Sequence, residues 1–242
     1  MLTQKAEVIP PAYGSTASRG TGIRTCGSIS GLAAIGAPST ELVIWKRALP
    51  SQLRDWLNQI PVPVLPDLRL LIKPDELRPA LEPLLDQCGM QAGDMRELLI
   101  TDIAKLIQVF SRITAKARVD VRLERVDDDA CWKFHRDSVD ARLLTTYRGP
   151  TTEWVQPEHG ERAILEQQSF TGPLEHLGAH DVALFKGTKA DTGRGIVHRS
   201  PPIVGTGYTR LLLCLNKPTV ASPDPWAAGP GHYSHAGVQR GW

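Results

Sequence analysis

A change in the spacing of apolar residues near residue 117 constrains the fold of this chain most. Downstream of this point Val119, Val121 and Leu123 alternate with charged residues, which is the pattern of a half-buried strand. More short strand-like runs follow, many separated by Gly or Pro and none by a helical pattern: residues 132–136, 139–147, 153–155, 182–185, 195–198 and 209–215. Short strands with frequent turns predict an antiparallel sandwich or barrel.

The N-terminal half predicts helices that support this β region. One helix is expected from Ser51, a second over residues 75–87 and a third from Asp94, because apolar residues recur there at helical spacing. The chain is therefore divided into four predicted regions. These are a flexible arm over 1–40, a helical support region over 41–116, a β core over 117–220 and a flexible tail over 221–242.

Composition excludes several classes of protein. The 28 basic and 26 acidic residues nearly balance, which argues against a nucleic-acid groove because such surfaces carry a clear basic excess. No apolar run is long enough to cross a bilayer, and the first residues do not resemble a secretory signal. The four cysteines are widely spaced and form no CxxC pair, which favours reduced thiols in the cytoplasm. We expect a cytoplasmic protein without a nucleic-acid or membrane partner.

The residues with the clearest chemistry are His135 and Asp137. In a strand, residues two apart point to the same side, so this imidazole and this carboxylate can reach one metal ion. His198, in a second short strand that ends at a Pro-Pro turn, is the best-placed third ligand. Two imidazoles and one carboxylate leave the opposite face of the ion open, which suits Fe(II) in oxygen chemistry. An HxD motif alone is weak, and a surface turn would also produce one.

The order of motifs around these ligands resembles a known superfamily. Residues 134–137, 143–154 and 178–187, followed by His198 and Arg210, resemble the core of the 2-oxoglutarate/Fe(II)-dependent dioxygenases. This resemblance covers about residues 130–216. It implies a mainly β fold with supporting helices, whose core is a double-stranded β-helix of jelly-roll or cupin-like type.

The resemblance also implies cofactors and an activity. Fe(II) would be bound by His135, Asp137 and His198, and the small-molecule cosubstrate 2-oxoglutarate would bind the metal and anchor its far carboxylate on Arg210. The implied reaction is oxidation of an unactivated C–H bond, coupled to decarboxylation of the cosubstrate to succinate. The primary substrate is not implied.

The anchor for the cosubstrate has alternatives. A guanidinium matches a carboxylate with two parallel hydrogen bonds, so the physics supports Arg210 in this role. Many superfamily members carry Ser or Thr two residues after the anchor, however, and this chain has Leu212 there. Arg142 and Arg199 therefore stay open as alternative anchors, and so does pairing of Arg210 with an internal acid.

Other residues near these motifs have two interpretations. Tyr147 could donate a hydrogen bond to a cosubstrate carboxylate, or pack in the core with its hydroxyl satisfied. Trp132, Phe134 and Trp154 could line a substrate pocket or fill the barrel. His180 is an alternative metal ligand.

A second class of function fits the same ligands. The three side chains and a water would bind Zn(II) in a tetrahedral site, as in a metal-binding protein of cupin-like fold without oxygenase activity. The whole chain also resembles a bacterial family of unknown function, loosely associated with zinc-responsive gene neighbourhoods. This association and Leu212 favour a role in metal homeostasis, whereas the motif order favours the oxygenase.

Overall fold

Two β-sheets pack against each other in the computed structural model, which describes residues 22–228. The larger sheet has the order β1-β2-β8-β5-β10-β4-β3, and all neighbours except β1 and β2 are antiparallel. Its strands are β1 (Ile23–Cys26), β2 (Leu42–Trp45), β3 (Leu68–Ile72), β4 (Val119–Val126), β5 (Ala141–Arg148), β8 (Val182–Lys186) and β10 (Arg210–Asn216). The smaller sheet has the order β7-β6-β9, with β6 (Glu153–Trp154), β7 (Glu175–His176) and β9 (His198–Arg199).

An apolar layer joins the two sheets. It combines side chains from the larger sheet, such as Ile44, Leu144 and Phe185, with Trp154 of the smaller sheet and Ile196. Two facing sheets around one interior, built mostly from antiparallel pairs, define a double-stranded β-helix of jelly-roll type. The predicted fold class is confirmed.

Helices cover the outer face of the larger sheet. They are α1 (Ser51–Gln59), α2 (Leu77–Gln87) and α3 (Asp94–Thr114), while α4 (Gly160–Glu166) lies between β6 and β7. Short 3-10 turns occupy Ile29–Gly36, Val62–Val64, Pro74–Glu76, Pro157–His159 and Gln167–Ser169. The stripe of α3 that includes Leu99, Ile103 and Phe110 is buried against the sheet, as its spacing predicts. Among residues 22–228, none of the helices combines the length and the apolar character that a bilayer-spanning helix needs.

The prediction of a flexible arm over 1–40 is wrong for residues 22–40. Strand β1 pairs in parallel with β2, and the following 3-10 turn buries Leu32 and Ile35 in the main core. The Gly- and Ser-rich composition suggested disorder, but strand pairing and a few apolar anchors hold this segment in place. Residues 1–21 lie outside the described part of the chain.

The boundaries predicted at residues 117 and 221 do not separate structural units. Strands β1, β2 and β3 come from the N-terminal half yet belong to the larger sheet, so the helical support region also builds the barrel. Past residue 221 the backbone N–H of Trp226 donates to the carbonyl of Leu71, 2.8 Å away, and its ring packs on the core. The predicted flexible tail is therefore wrong for this stretch, and residues 229–242 lie outside the described part.

Candidate metal centre

The two predicted imidazole ligands face each other across a β-bridge. His135 lies outside the regular strands, although the sequence predicts a strand over residues 132–136, and it pairs only with His198. The backbone N–H of each residue donates to the carbonyl of the other at 3.0 Å. Directly opposed residues in an antiparallel pair point to the same side, so the bridge brings the rings together with centroids 4.7 Å apart.

In both imidazole rings Nδ1 is hydrogen-bonded to a backbone carbonyl, so Nε2 is the nitrogen that faces Asp137. Nδ1 of His135 lies 2.8 Å from the carbonyl oxygen of Lys133, and Nδ1 of His198 lies 3.0 Å from that of Ile196. A carbonyl oxygen can only accept, so in the neutral form of each ring Nδ1 carries the proton and Nε2 keeps the lone pair. This is the tautomer in which histidine binds a metal through Nε2.

Asp137 completes the cluster between the two rings. Its Oδ2 lies 3.4 Å from Nε2 of His198, and its Oδ1 lies 3.8 Å from Nε2 of His135. One ligand atom from each residue falls within 4.8 Å of the others. Ligands about 2.1 Å from one ion lie roughly 3 to 4 Å apart. Both distances from Asp137 to the imidazoles fall in this range, so the three side chains could bind a single metal ion after small shifts.

A polar atom without a partner supports this fit. Asp137 is buried, and its Oδ2 makes no hydrogen bond with any described residue. Its Oδ1 accepts a hydrogen bond from Nη1 of Arg142 at 2.5 Å. A buried carboxylate oxygen with no donor is unfavourable unless something binds it, and a cation beside two imidazole lone pairs meets that need.

The charges of the cluster also suit a metal. Burial alone would raise the pKa of the Asp137 carboxyl, but the neighbouring His198 and Arg142 lower it overall, so the group is ionised at neutral pH. Burial lowers the pKa of His198, which favours the neutral ring that binds metals. His135 is 35% exposed while the other two ligands are buried, so the cluster opens to solvent on the His135 side.

Arg210 is the second unusual feature of the barrel. Its side chain is fully buried, and its guanidinium donates only to neutral oxygens: the Pro150 carbonyl at 2.8 Å, Ser200 Oγ at 2.7 Å and Thr152 Oγ1 at 3.3 Å. It forms no salt bridge with a described residue, so direct pairing with an internal acid is not observed. Burial lowers the pKa of Arg210 to about 10, still above neutrality, so a cation lies inside the barrel without a directly paired anion.

The two alternative anchors have partners of their own. Arg142 donates to Asp137 and, through Nε, to Oδ1 of Asn216 at 2.8 Å, so it orients the candidate metal-binding carboxylate. Arg199 donates to Glu153 at 2.6 Å and lies over the ring of Phe134. Of the three arginines, Arg210 alone forms no salt bridge with another described residue.

The predicted cosubstrate contact by Tyr147 is wrong. Its ring is fully buried in the core beneath the helices, on the opposite face of the larger sheet from the candidate metal ligands. Its hydroxyl donates to Asp102 of α3 at 2.6 Å, and Arg47 binds the same carboxylate. The second interpretation, core packing with a satisfied hydroxyl, is the one observed.

The remaining predicted residues divide between the site and its surroundings. His180 is not part of the cluster; its carbonyl accepts hydrogen bonds from Arg47 and Thr145. Phe134 is buried in a small apolar cluster behind His135, and Trp154 packs in the barrel interior. Trp132 is only partly buried.

The side chain of Gln167 holds the backbone next to His135, a role that the sequence did not reveal. Its Oε1 accepts from the N–H of Phe134 at 2.8 Å, and its Nε2 donates to the carbonyl of Phe134 at 3.0 Å. The side-chain amide thus supplies the hydrogen bonds that a neighbouring strand would otherwise give to the backbone of Phe134. Gln167 has a positive φ of 51°, which a non-glycine residue rarely adopts, so tertiary contacts maintain it.

We expect Gln167→Ala to weaken Fe(II) binding by about 10-fold, because supporting contacts of metal ligands typically contribute about 10- to 100-fold in affinity. Anaerobic calorimetric titration measures this change. The neighbouring Gln168 makes no hydrogen bond of this kind to the Phe134 backbone, so Gln168→Ala is the matched control and should bind like the wild type. Equal affinity in both variants would contradict the positioning role.

Gly187 lets the segment that carries Asp137 approach β8. A Cβ at this position would overlap the carbonyl oxygen of Val139 and lie 2.7 Å from that of Asp137. The next residue, Thr188, donates its N–H to the same Asp137 carbonyl at 2.9 Å. Only a residue without a side chain fits between these carbonyls.

We expect Gly187→Ala to displace the Asp137 segment, lowering the free energy of unfolding by roughly 1–3 kcal/mol and weakening metal binding. Thermal unfolding and Fe(II) titration measure the two effects. Gly36→Ala is the control, since a Cβ on Gly36 meets nothing within 4 Å. If Gly187→Ala is as stable as Gly36→Ala, then Gly187 is not in close contact with the Val139 and Asp137 carbonyls in solution.

The fold and the cluster together define a double-stranded β-helix protein with a candidate mononuclear metal site of two histidines and one aspartate. Residues 27–216 match the family described as "Protein of unknown function (DUF1826)", and the chain belongs to that family. A comparison with curated proteins gives no match.

Solved structures similar to this chain include three whose descriptions name alpha-ketoglutarate. The Kdo hydroxylase KdoO, a non-heme Fe(II) alphaketoglutarate dependent dioxygenase in complex with cobalt(II), has 11% identity and a TM-score of 0.38, covering 80% of this chain and 88% of that chain. A full-length Neurospora crassa protein in complex with alpha-KG has 12% identity, a TM-score of 0.36 and 78% coverage of both chains. The alpha ketoglutarate dependent carbocyclase SnoK from nogalamycin biosynthesis has 11% identity and a TM-score of 0.33, covering 78% of this chain and 89% of that chain. With identities this low, the case for any chemistry rests on the side chains of this protein.

Proposed function

We propose that this protein is an Fe(II)- and 2-oxoglutarate-dependent oxygenase. The observation that carries the proposal is a pair of incompletely matched polar groups inside one barrel. Within residues 22–228, the candidate metal cluster contains a buried carboxylate oxygen without a hydrogen-bond donor, and Arg210 is a buried cation without a directly paired anion. A metal ion and a cosubstrate with two carboxylates would satisfy both.

The ligand set favours Fe(II) chemistry over a closed structural site. His135, Asp137 and His198 supply three donors, and no fourth His, Cys, Asp or Glu joins them among the described residues. Three protein ligands leave positions on the ion for small molecules, whereas structural zinc sites usually have four protein ligands. When bound, Fe(II) with 2-oxoglutarate supplies dioxygen activation for C–H hydroxylation, with release of succinate and carbon dioxide.

The residues of the chain have distinct roles in this proposal. His135 and His198 present Nε2 lone pairs, and Asp137 presents Oδ2 while Arg142 holds its other oxygen. Arg210 pairs with the far carboxylate of the cosubstrate through its fixed fork of donors.

Apolar residues exclude water from this space. Phe185 stacks on the ring of His198, with centroids 5.0 Å apart and planes inclined by 30°, and Ile196 is buried in the same apolar layer. The open side lies at His135, where substrate and dioxygen would enter. An apolar lining that excludes water, with one side open to solvent, protects an oxidising centre from side reactions.

Anaerobic reconstitution of the metal-free full-length chain tests the proposal. We expect a visible charge-transfer absorption that requires both Fe(II) and 2-oxoglutarate, and formation of succinate once oxygen is admitted. Retention of zinc after purification, without 2-oxoglutarate binding to any metal form, would overturn the proposal. That result would support the metal-binding protein without oxygenase activity, for which the same three ligands and a water suffice.

A further inference from the structure

Two polar side chains inside the barrel have no hydrogen-bond partner among the described residues and are not candidate metal ligands. Nε1 of Trp154 and Oγ1 of Thr146 are both buried. An indole N–H is only a donor and is usually paired when it is buried. The side chains clustered with Trp154 are apolar, among them Leu144, Leu177 and Phe185, so these neighbours cannot satisfy it.

The position of Trp154 follows from strand pairing. On β6 it lies directly opposite His198 of β9 in an antiparallel register, so the two side chains share a face, with Cβ atoms about 5 Å apart. Thr152, two residues earlier, is on the same face and accepts the hydrogen bond from Nη2 of Arg210. One face of this segment therefore runs from the Arg210 guanidinium to the metal cluster.

Thr146 approaches the same space from the larger sheet. It pairs with Leu212 of β10, two residues after Arg210, and Leu144, two residues before it on the same strand face, lies in the barrel interior. Thr146 thus lies on the face of β5 that carries Leu144 into the barrel, opposite the face of Tyr147. Each sheet thus contributes one polar group without a partner, and the Trp154 segment connects Arg210 with His198.

We propose that the indole N–H of Trp154 donates a hydrogen bond to the bound cosubstrate, with the hydroxyl of Thr146 as a second contact. This inference rests on the proposed function, because it takes 2-oxoglutarate as the ligand of the barrel. An oxygen-rich anion would supply the acceptor that the apolar surroundings of Trp154 lack. Trp154 is then a binding residue rather than a filler of the core.

The test compares two affinities in the full-length chain under anaerobic conditions. Trp154→Phe keeps an aromatic ring and removes the N–H, so we expect the dissociation constant for 2-oxoglutarate to rise about 10-fold with Fe(II) bound. The dissociation constant for Fe(II) alone should change less than about two-fold. Trp56→Phe, on the helical side of the protein, is the matched control and should change neither. Thr146→Val should weaken 2-oxoglutarate binding in the same selective way.

The outcomes separate this inference from the proposed function. If wild-type protein with Fe(II) bound does not bind 2-oxoglutarate, the proposed function fails and this inference falls with it. If the wild type binds and Trp154→Phe binds equally well, only the inference is overturned. Loss of Fe(II) affinity in Trp154→Phe would also overturn it, because Trp154 would then act by packing against His198.

Discussion

We expect His198→Ala to lower Fe(II) affinity by at least about 100-fold, because even supporting contacts around a metal ligand contribute up to that factor. The variant removes one of three donors and opens the buried side of the cluster to water. Calorimetric titration under anaerobic conditions measures the loss. The exposed His176 on β7 provides the matched control, and His176→Ala should bind Fe(II) like the wild type.

The ring of His198 also packs on Phe185, so the variant could lose metal simply by loosening the core. His135→Ala separates these effects, because His135 is partly exposed and its removal leaves no comparable cavity. We expect this variant to lose metal binding with little change in thermal stability. Fe(II) affinity near the wild-type value in both variants would refute the metal centre.

The spacing and order of motifs were sufficient to predict that the three candidate ligands meet. His135 and Asp137 are two residues apart, and the bridge between His135 and His198 brings in the third side chain. The order of motifs resembles that of the dioxygenase core, and it therefore predicted that His198 lies in the same β core as His135 and Asp137. The resulting cluster contains the three residues that the sequence predicts.

Alternation could not show which face of a strand the metal would occupy. On β5, Leu143 packs beneath the helices while Leu144 packs inside the barrel, so both faces are apolar. The sequence therefore left both a cosubstrate contact and core packing open for Tyr147, and the structure places its hydroxyl on Asp102 of α3. A strand buried on both faces has no polar side that identifies the interior.

Contacts between distant segments were also hidden from the sequence. Gln167 holds Phe134 from 33 positions away, and nothing in its local sequence indicates that role. Strand β1 is short and Gly-rich on both sides, so its order depends on pairing with β2 rather than on local preference. Such features are properties of tertiary structure, and a single sequence does not encode them in a periodic pattern.

The second large effect concerns the cosubstrate anchor. We expect Arg210→Ala to weaken 2-oxoglutarate binding to the Fe(II) form by about 100-fold or more, because losing one partner of a buried, hydrogen-bonded charge pair costs about 2–5 kcal/mol. The metal should still bind, since Arg210 donates to Pro150, Ser200 and Thr152 and to none of the three candidate ligands.

Two further variants make this prediction specific to a guanidinium in the barrel. Arg210→Lys keeps the charge but loses the paired donors, so we expect intermediate affinity for 2-oxoglutarate. Arg162→Ala, on the exposed face of α4, should leave both affinities unchanged. Anaerobic titration of the charge-transfer absorption measures cosubstrate binding in each protein. If Arg210→Ala binds 2-oxoglutarate like the wild type, or loses the metal instead, Arg210 is not the anchor.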